Sequence, residues 1–147
     1  MDKRYLVFGC DHAGYELKEY LKKWLHDIGY NIKDFGTFSS ESVDYPDFIH
    51  PVAKAVASKE ADIGIIICGT GNGAAMTANK YSEVRAALCW NKELGALARQ
   101  HNDANILALP ARFISQNDAK EIVRAFLNTD FENERHSRRI EKINQLN

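Results

Sequence analysis

Chemistry in this chain gathers first at Cys68-Gly69-Thr70-Gly71-Asn72-Gly73. Glycine at every second position lets the backbone approach a ligand closely and turns its N–H groups toward one point. A helix-like, Ala-rich segment from Ala74 to Tyr81 follows, so those N–H groups make a site for an anion. Cys68 stands at the mouth of that site, where positive potential favours a thiolate. His12, in Asp11-His12-Ala13-Gly14, and His101, in Arg99-Gln100-His101-Asn102-Asp103, can each move a proton, since histidine titrates near neutrality. Arg135 and Arg139 are four apart on one helical face, with His136 and Arg138 beside them, and two guanidinium groups so placed can grip a phosphate.

Each motif also has a plainer reading. Gly69 to Ala74 fits the dinucleotide fingerprint in its form ending in Ala, but it follows a third strand rather than a first, and no acidic residue closes the next strand at Trp90-Asn91. A P-loop is excluded, because no GxxxxGK[ST] occurs. A tight turn alone does not need three glycines in five residues. Taken by itself, the Arg135 helix reads as a solvated basic face offset by Glu132, Glu134 and Glu141, too short and too poor in aromatics for nucleic acid. No His, Cys and carboxylate spacing matches a metal ligand set.

The elements that must position these groups follow from periodicity. Arg4 to Cys10 is a first strand. Leu17, Leu21, Trp24, Leu25 and Ile28 mark one face of a helix stopped by Gly29. A short strand spans Asn31 to Phe35. A polar, turn-rich stretch runs from Gly36 to Asp47, and Pro51 marks the start of a helix reaching about Lys59. Ile63 to Cys68 is a strand apolar on both faces, as in a parallel sheet. Val84 to Trp90, a helix from Glu93 to Gln100, a strand at Asn105 to Leu109, a helix N-capped within Ser115 to Asp118 and a last helix over Glu132 to Gln145 complete the pattern. Five strands alternating with helices predict a three-layer α/β/α sandwich of Rossmann-like kind, with a mainly parallel sheet.

In such sheets ligands bind beyond the carboxyl ends of the strands, where connections diverge to opposite faces. Asp11 and His12, Cys68 with its glycines, and Arg112 all fall there. His101 and Asn102 precede a strand and belong to the opposite edge, so in shared chemistry they come from a neighbouring chain.

At 147 residues the chain has the length of one domain, and 45% hydrophobic with 27% charged residues is ordinary for a globular protein. A net charge of −1 offers no whole-molecule attraction to nucleic acid or an anionic membrane. No apolar run has the length of a membrane span, and Met1-Asp2-Lys3-Arg4 leads straight into a strand rather than a signal peptide, which predicts a cytoplasmic location. Three cysteines without a CxxC pair form neither a disulfide framework nor a zinc ribbon, and Cys10 and Cys89 read as core residues.

Six ordered motifs carry a resemblance over essentially the whole chain: Gly-Cys-Asp-His-Ala-Gly at 9 to 14, Asp-Tyr-Pro at 44 to 46, Cys-Gly-Thr-Gly-Asn-Gly at 68 to 73, Ala-Asn-Lys at 78 to 80, Arg-Gln-His-Asn-Asp-Ala-Asn at 99 to 105, and Arg-His-x-x-Arg at 135 to 139. Together they resemble the ribose-5-phosphate isomerase B family, which also includes galactose- and allose-6-phosphate isomerases. The resemblance implies that Cys68 is the base moving a proton between C1 and C2 of the open-chain sugar. It implies that Gly69, Gly71, Asn72 and Gly73 form the anion hole for the enediolate, with Thr70 assisting. His101 then helps open the furanose ring, Asp11 and Asn102 hold sugar hydroxyls, and His12, Arg112, Arg135 and Arg139 surround the phosphate. One branch of the family uses a Glu just after the glycine loop. That position is Ala74 here, which places the chain in the cysteine-base branch. Pro110 stands where a small residue such as Gly is expected and should alter the loop carrying Arg112.

The implied chemistry needs neither metal nor cofactor. The implied assembly is a homodimer or dimer of dimers with sites shared between chains, the 132–145 helix packing at the interface of a single 1–147 domain. Ribose 5-phosphate is the leading substrate. A six-carbon sugar phosphate, or a non-catalytic phosphosugar-binding module, is the alternative.

Overall fold

The computed structural model describes residues 2–146. Its elements are β1 (Tyr5–Cys10), a single 3-10 turn (His12–Gly14), α1 (Tyr15–Asp27), β2 (Asn31–Asp34), α2 (Tyr45–Ala57), β3 (Ile63–Cys68), α3 (Asn72–Ala78), β4 (Ala86–Leu88), α4 (Lys92–Asn102), β5 (Ile106–Pro110), α5 (Gln116–Asn128) and α6 (Asn133–Ile143). The strands form one sheet in the order β2-β1-β3-β5-β4, and every pairing is parallel. Among the described residues no helix is long and apolar enough to cross a membrane.

Alternation along each strand builds two cores, because successive side chains point to opposite faces. Leu6, Phe8, Ile65 and Leu107 join α1 and α5 on one face. Val7, Ile66, Cys68 and Ala108 join α2 and α3 on the other. The central strand is buried at all six positions, which is why its sequence lacks a polar side. After β1 the chain turns to the α1 face, and after its neighbour β3 it turns to the α3 face. The connections therefore diverge between these two strands, which makes their carboxyl ends the switch point of the sheet.

Several boundaries differ from the sequence reading, most of them by a residue or two. Helix α2 begins at Tyr45, with Pro46 in its first turn, so Pro51 lies inside the helix rather than at its start. Helix α3 begins at Asn72 and ends at Ala78, because the glycine loop itself winds into the first turn. Ile28 follows the end of α1 and is 54% exposed, so it does not belong to the apolar face. Strand β4 is reduced to three residues at the sheet edge, Val84 and Trp90 falling outside it. Ser115 caps α5 as expected, in a capping box with Asp118.

Candidate active site

Three strand ends supply one cluster. Cys10 pairs with Ile67, and Asp11 N–H donates to the Ile67 carbonyl at 3.2 Å, which sets Asp11 one step from Cys68 across the switch point. Cys68 pairs with Pro110. The loop after β5 is then sewn to the glycine loop: Ala111 N–H donates to the Cys68 carbonyl (2.9 Å) and Arg112 N–H to the Gly69 carbonyl (3.1 Å). The Arg112 side chain lies over Gly69, where a Cβ would stand 3.2 Å from Nη1. Pro110 thus continues β5 and leads directly into this tie.

The glycine loop needs its composition. Gly71 has φ +77°, and a Cβ there would run into Leu88 and press on the Leu109 and Pro110 backbone at 3.2 and 3.3 Å. At Gly73 a Cβ would fall 2.7 Å from the Tyr45 hydroxyl, so that ring packs against the loop. Thr70 Oγ1 accepts the Asn72 N–H at 3.2 Å, and Gly73 and Ala74 lie in the first turn of α3, where N–H groups have no intrahelical partner. Thr70 and Asn72 are exposed, whereas Cys68 at the strand end retains 5% of its surface.

Asp11 is buried. Its Oδ1 accepts Ala13 N–H (3.0 Å) and Gly14 N–H (3.2 Å), which fixes the carboxylate at the head of the 3-10 turn. His12 Nδ1 accepts the Val43 N–H at 3.2 Å, so the neutral ring carries its proton on Nε2. Burial pushes the thiols of Cys10 and Cys89 up to about 12, leaving both as uncharged core groups.

A second cluster forms at the opposite edge. His101 and Asn102 end α4, before β5 begins, while Cys68 pairs with the last residue of β5. The four steps from Ile106 to Pro110 alone cover roughly 13 Å at ~3.3 Å per residue. His101 stacks on His136 of α6, ring centroids 4.4 Å apart and 20° from parallel. Burial, with His101, Arg135 and Arg139 nearby, pushes His136 below its usual range. Arg135 and Arg139 are exposed on the same helix. Within one chain, then, Cys68, Thr70, the glycines, Asp11, His12 and Arg112 share one end of the sheet, and His101, Asn102, Arg135 and Arg139 share the other.

Tyr45, expected with Asp11 and Asn102 where the pocket's depth sets which sugar fits but given no catalytic or binding role of its own, borders the loop with its ring. The signal was present in Asp44-Tyr45-Pro46, a tyrosine held at a helix start by proline, but only the fold shows that this start faces Gly73.

A parallel α/β sandwich with a thiol, a carboxylate and an N–H-lined glycine loop at its switch point defines a class of protein that handles small anionic substrates. The chain belongs to the ribose/galactose isomerase family, whose model matches residues 6–143, and at that level it is a sugar-phosphate isomerase. Ribose-5-phosphate isomerase B of Escherichia coli (strain K12) is 44% identical over 141 residues, covering 96% of this chain and 95% of the relative. The crystal structure of a ribose 5-phosphate isomerase from Thermotoga maritima superposes with a TM-score of 0.97 at 47% identity, covering 99% of this chain and 100% of that one. Ribose-5-phosphate isomerase B from Mycoplasma genitalium, solved with bound ribulose-5-phosphate, gives 0.92 at 41% identity, with 97% and 95% covered.

Proposed function

We propose that the chain interconverts D-ribose 5-phosphate and D-ribulose 5-phosphate through an enediolate, the whole chain serving as one sugar-phosphate isomerase domain. The observation that carries the chemistry is the placement of Cys68 against Asp11 and the glycine loop at one switch point. The five-carbon substrate is supported by the Escherichia coli relative and by the ribulose-5-phosphate held in the Mycoplasma genitalium structure.

In this reading Cys68, as thiolate, removes the proton from C2 of the open-chain aldose and returns it to C1. The electron pair left by that proton forms the C1–C2 double bond, and the carbonyl oxygen becomes an oxyanion facing the N–H groups of Gly69 to Gly73. Thr70 holds the loop through Asn72 and lends its hydroxyl to the same oxygen. A positioned base contributes ~10²–10⁴-fold and an oxyanion donor ~10²–10³-fold. The reaction is completed when the C2 hydroxyl proton passes to the C1 oxygen, so that C2–O becomes the ketose carbonyl as Cys68 returns its proton to C1. Asp11 holds sugar hydroxyls, and His12 and Arg112 face the phosphate end.

The remaining groups come from a second copy of the chain in a homodimer or dimer of dimers. His101 protonates the furanose ring oxygen as the ring opens, Asn102 holds a hydroxyl, and Arg135 and Arg139 bind the phosphate from α6 at the subunit interface. Apolar side chains standing in water support a partner on these surfaces: Met76 on α3, Phe113 beside Arg112 and Ile143 on α6.

The test is isomerisation by the purified chain with ribose 5-phosphate, allose 6-phosphate and galactose 6-phosphate in parallel, compared as kcat/KM. The expected outcome is a clear preference for the five-carbon sugar. Preference for a hexose phosphate keeps the mechanism and replaces the substrate, and no turnover of any of the three points to a missing partner subunit or a phosphosugar-binding role.

A further inference from the structure

Behind Asp11 and His12 lies a lysine that the mechanism does not use. Lys18, on α1, has no exposed surface, although it carries an ammonium group. Its Nζ hydrogen-bonds to Asp34 Oδ2 at the end of β2, lies 3.3 Å from Glu19, and sits over two rings, 5.5 Å from the Tyr15 centroid and 5.1 Å from that of Phe38. Lys22 donates to the same Asp34 oxygen.

The other oxygen of Asp34 does different work: Oδ1 accepts the Gly36 N–H at 2.8 Å. Gly36 and Thr37 clasp Cys10, the Gly36 carbonyl accepting Cys10 N–H (2.7 Å) and Thr37 N–H donating to the Cys10 carbonyl (2.8 Å). The next residue is Asp11. At the far end of the same segment, Val43 N–H fixes His12 Nδ1. Between these anchors Phe38 is 66% exposed, yet its ring covers the Lys18 ammonium. A buried ion pair adds little net stability over apolar residues of equal volume. What this one contributes is direction: two ammonium groups on Oδ2 leave Oδ1 facing Gly36.

We infer that, granted the sugar-phosphate site set out above, Lys18 and Asp34 are positioning residues that hold the 36–43 segment against β1 and through it orient Asp11 and His12. Neither touches substrate. Cys68 and the glycine loop hang from β3 and do not depend on this tie, so its loss acts on substrate binding more than on proton transfer.

The experiment is Lys18→Met, read by steady-state kinetics with ribose 5-phosphate and by the ¹⁵N spectrum of the His12 ring. The expected result is a KM raised about tenfold, the scale of one lost hydrogen bond, kcat within about twofold, and a His12 ring that no longer keeps one Nε2–H tautomer. Leu25→Ala, a cavity in the same helix at a fully buried site, is the control for destabilisation alone and leaves KM and the His12 spectrum unchanged. If Lys18→Met does not fold, Asp34→Asn takes its place, since ammonium groups draw the amide oxygen and turn its NH2 toward Gly36. An unchanged KM and His12 spectrum overturn the inference, as does an equal rise of KM in Leu25→Ala. Wild-type protein that does not turn over ribose 5-phosphate overturns the functional reading instead, and the His12 spectrum still decides the positioning.

Discussion

At the residue scale the proposed reaction rests on one sulfur. In the proposed mechanism Cys68 stands beside a loop whose N–H groups receive the developing oxyanion, whereas Cys10 and Cys89 are held uncharged by burial. Cys68→Ala therefore lowers kcat by ~10²–10⁴-fold, the share of a positioned base. Binding of ribitol 5-phosphate, which has no carbonyl to react, stays within a few-fold by calorimetry, since the phosphate and hydroxyl contacts are untouched. Near-normal turnover of the variant would remove Cys68 as the base. The residues legible in the sequence were those whose neighbours in space are neighbours in the chain, such as Cys68 with Gly69 to Gly73 and Asp11 with His12. Lys18 escaped because its partner, Asp34, lies 16 positions away. A lysine one place from Leu17 also reads as the polar side of an amphipathic helix, and only the fold of the 36–43 segment over α1 buries it.

At the element scale, strand β3 was read to the residue and the α5 cap to within Ser115 to Asp118, each for a local reason: a strand covered on both faces has no polar interruption, and Ser115 with Asp118 closes a capping box. Helix α2 was misplaced because two prolines compete for its start, and the chain tolerates Pro51 within the helix. The joint between α1 and β2 carries a testable charge. Burial pushes Asp34 up, but the hydrogen bonds from Lys18 and Lys22 outweigh it and hold the carboxyl below its usual range. The hydrogen bond from Arg4 holds Asp2 well below it too. A folded state with depressed carboxyl pKa values binds fewer protons than the unfolded chain, so stability rises with pH there. The contribution is complete above the unfolded carboxylate value, near pH ~4, and is lost as pH falls through the lower folded values. Urea unfolding followed across that window is expected to show stability falling on acidification, with a shallower slope in Asp34→Asn. Equal slopes in the two proteins would show that Asp34 is not a source of the acid sensitivity.

At the scale of the whole molecule, the sheet sets a problem that the proposed second chain would solve. Cys68 and His101 occupy opposite ends of the strands within one copy, and no rotamer spans the length of β5. The sequence announced this separation through topology alone, since a residue before a strand and a residue after its parallel neighbour cannot share an edge. What it does not encode locally is the face that the proposed partner would cover, because α6 packs on α4 and otherwise turns mostly charged side chains to water. A two-fold dimer with shared sites makes a sharp prediction. Cys68→Ala and His101→Ala chains, each inactive alone, are unfolded together and refolded as a mixture. Every mixed dimer then joins the Cys68 of one chain to the partner's His101 at one site and leaves the other site without either group. Random pairing makes half the dimers mixed, so roughly a quarter of wild-type activity returns. Recovery near that level, rising and falling with the proportion of the two chains, is the signature of sites built across the interface. A mixture as inactive as its parents would mean that Cys68 and His101 do not serve one site.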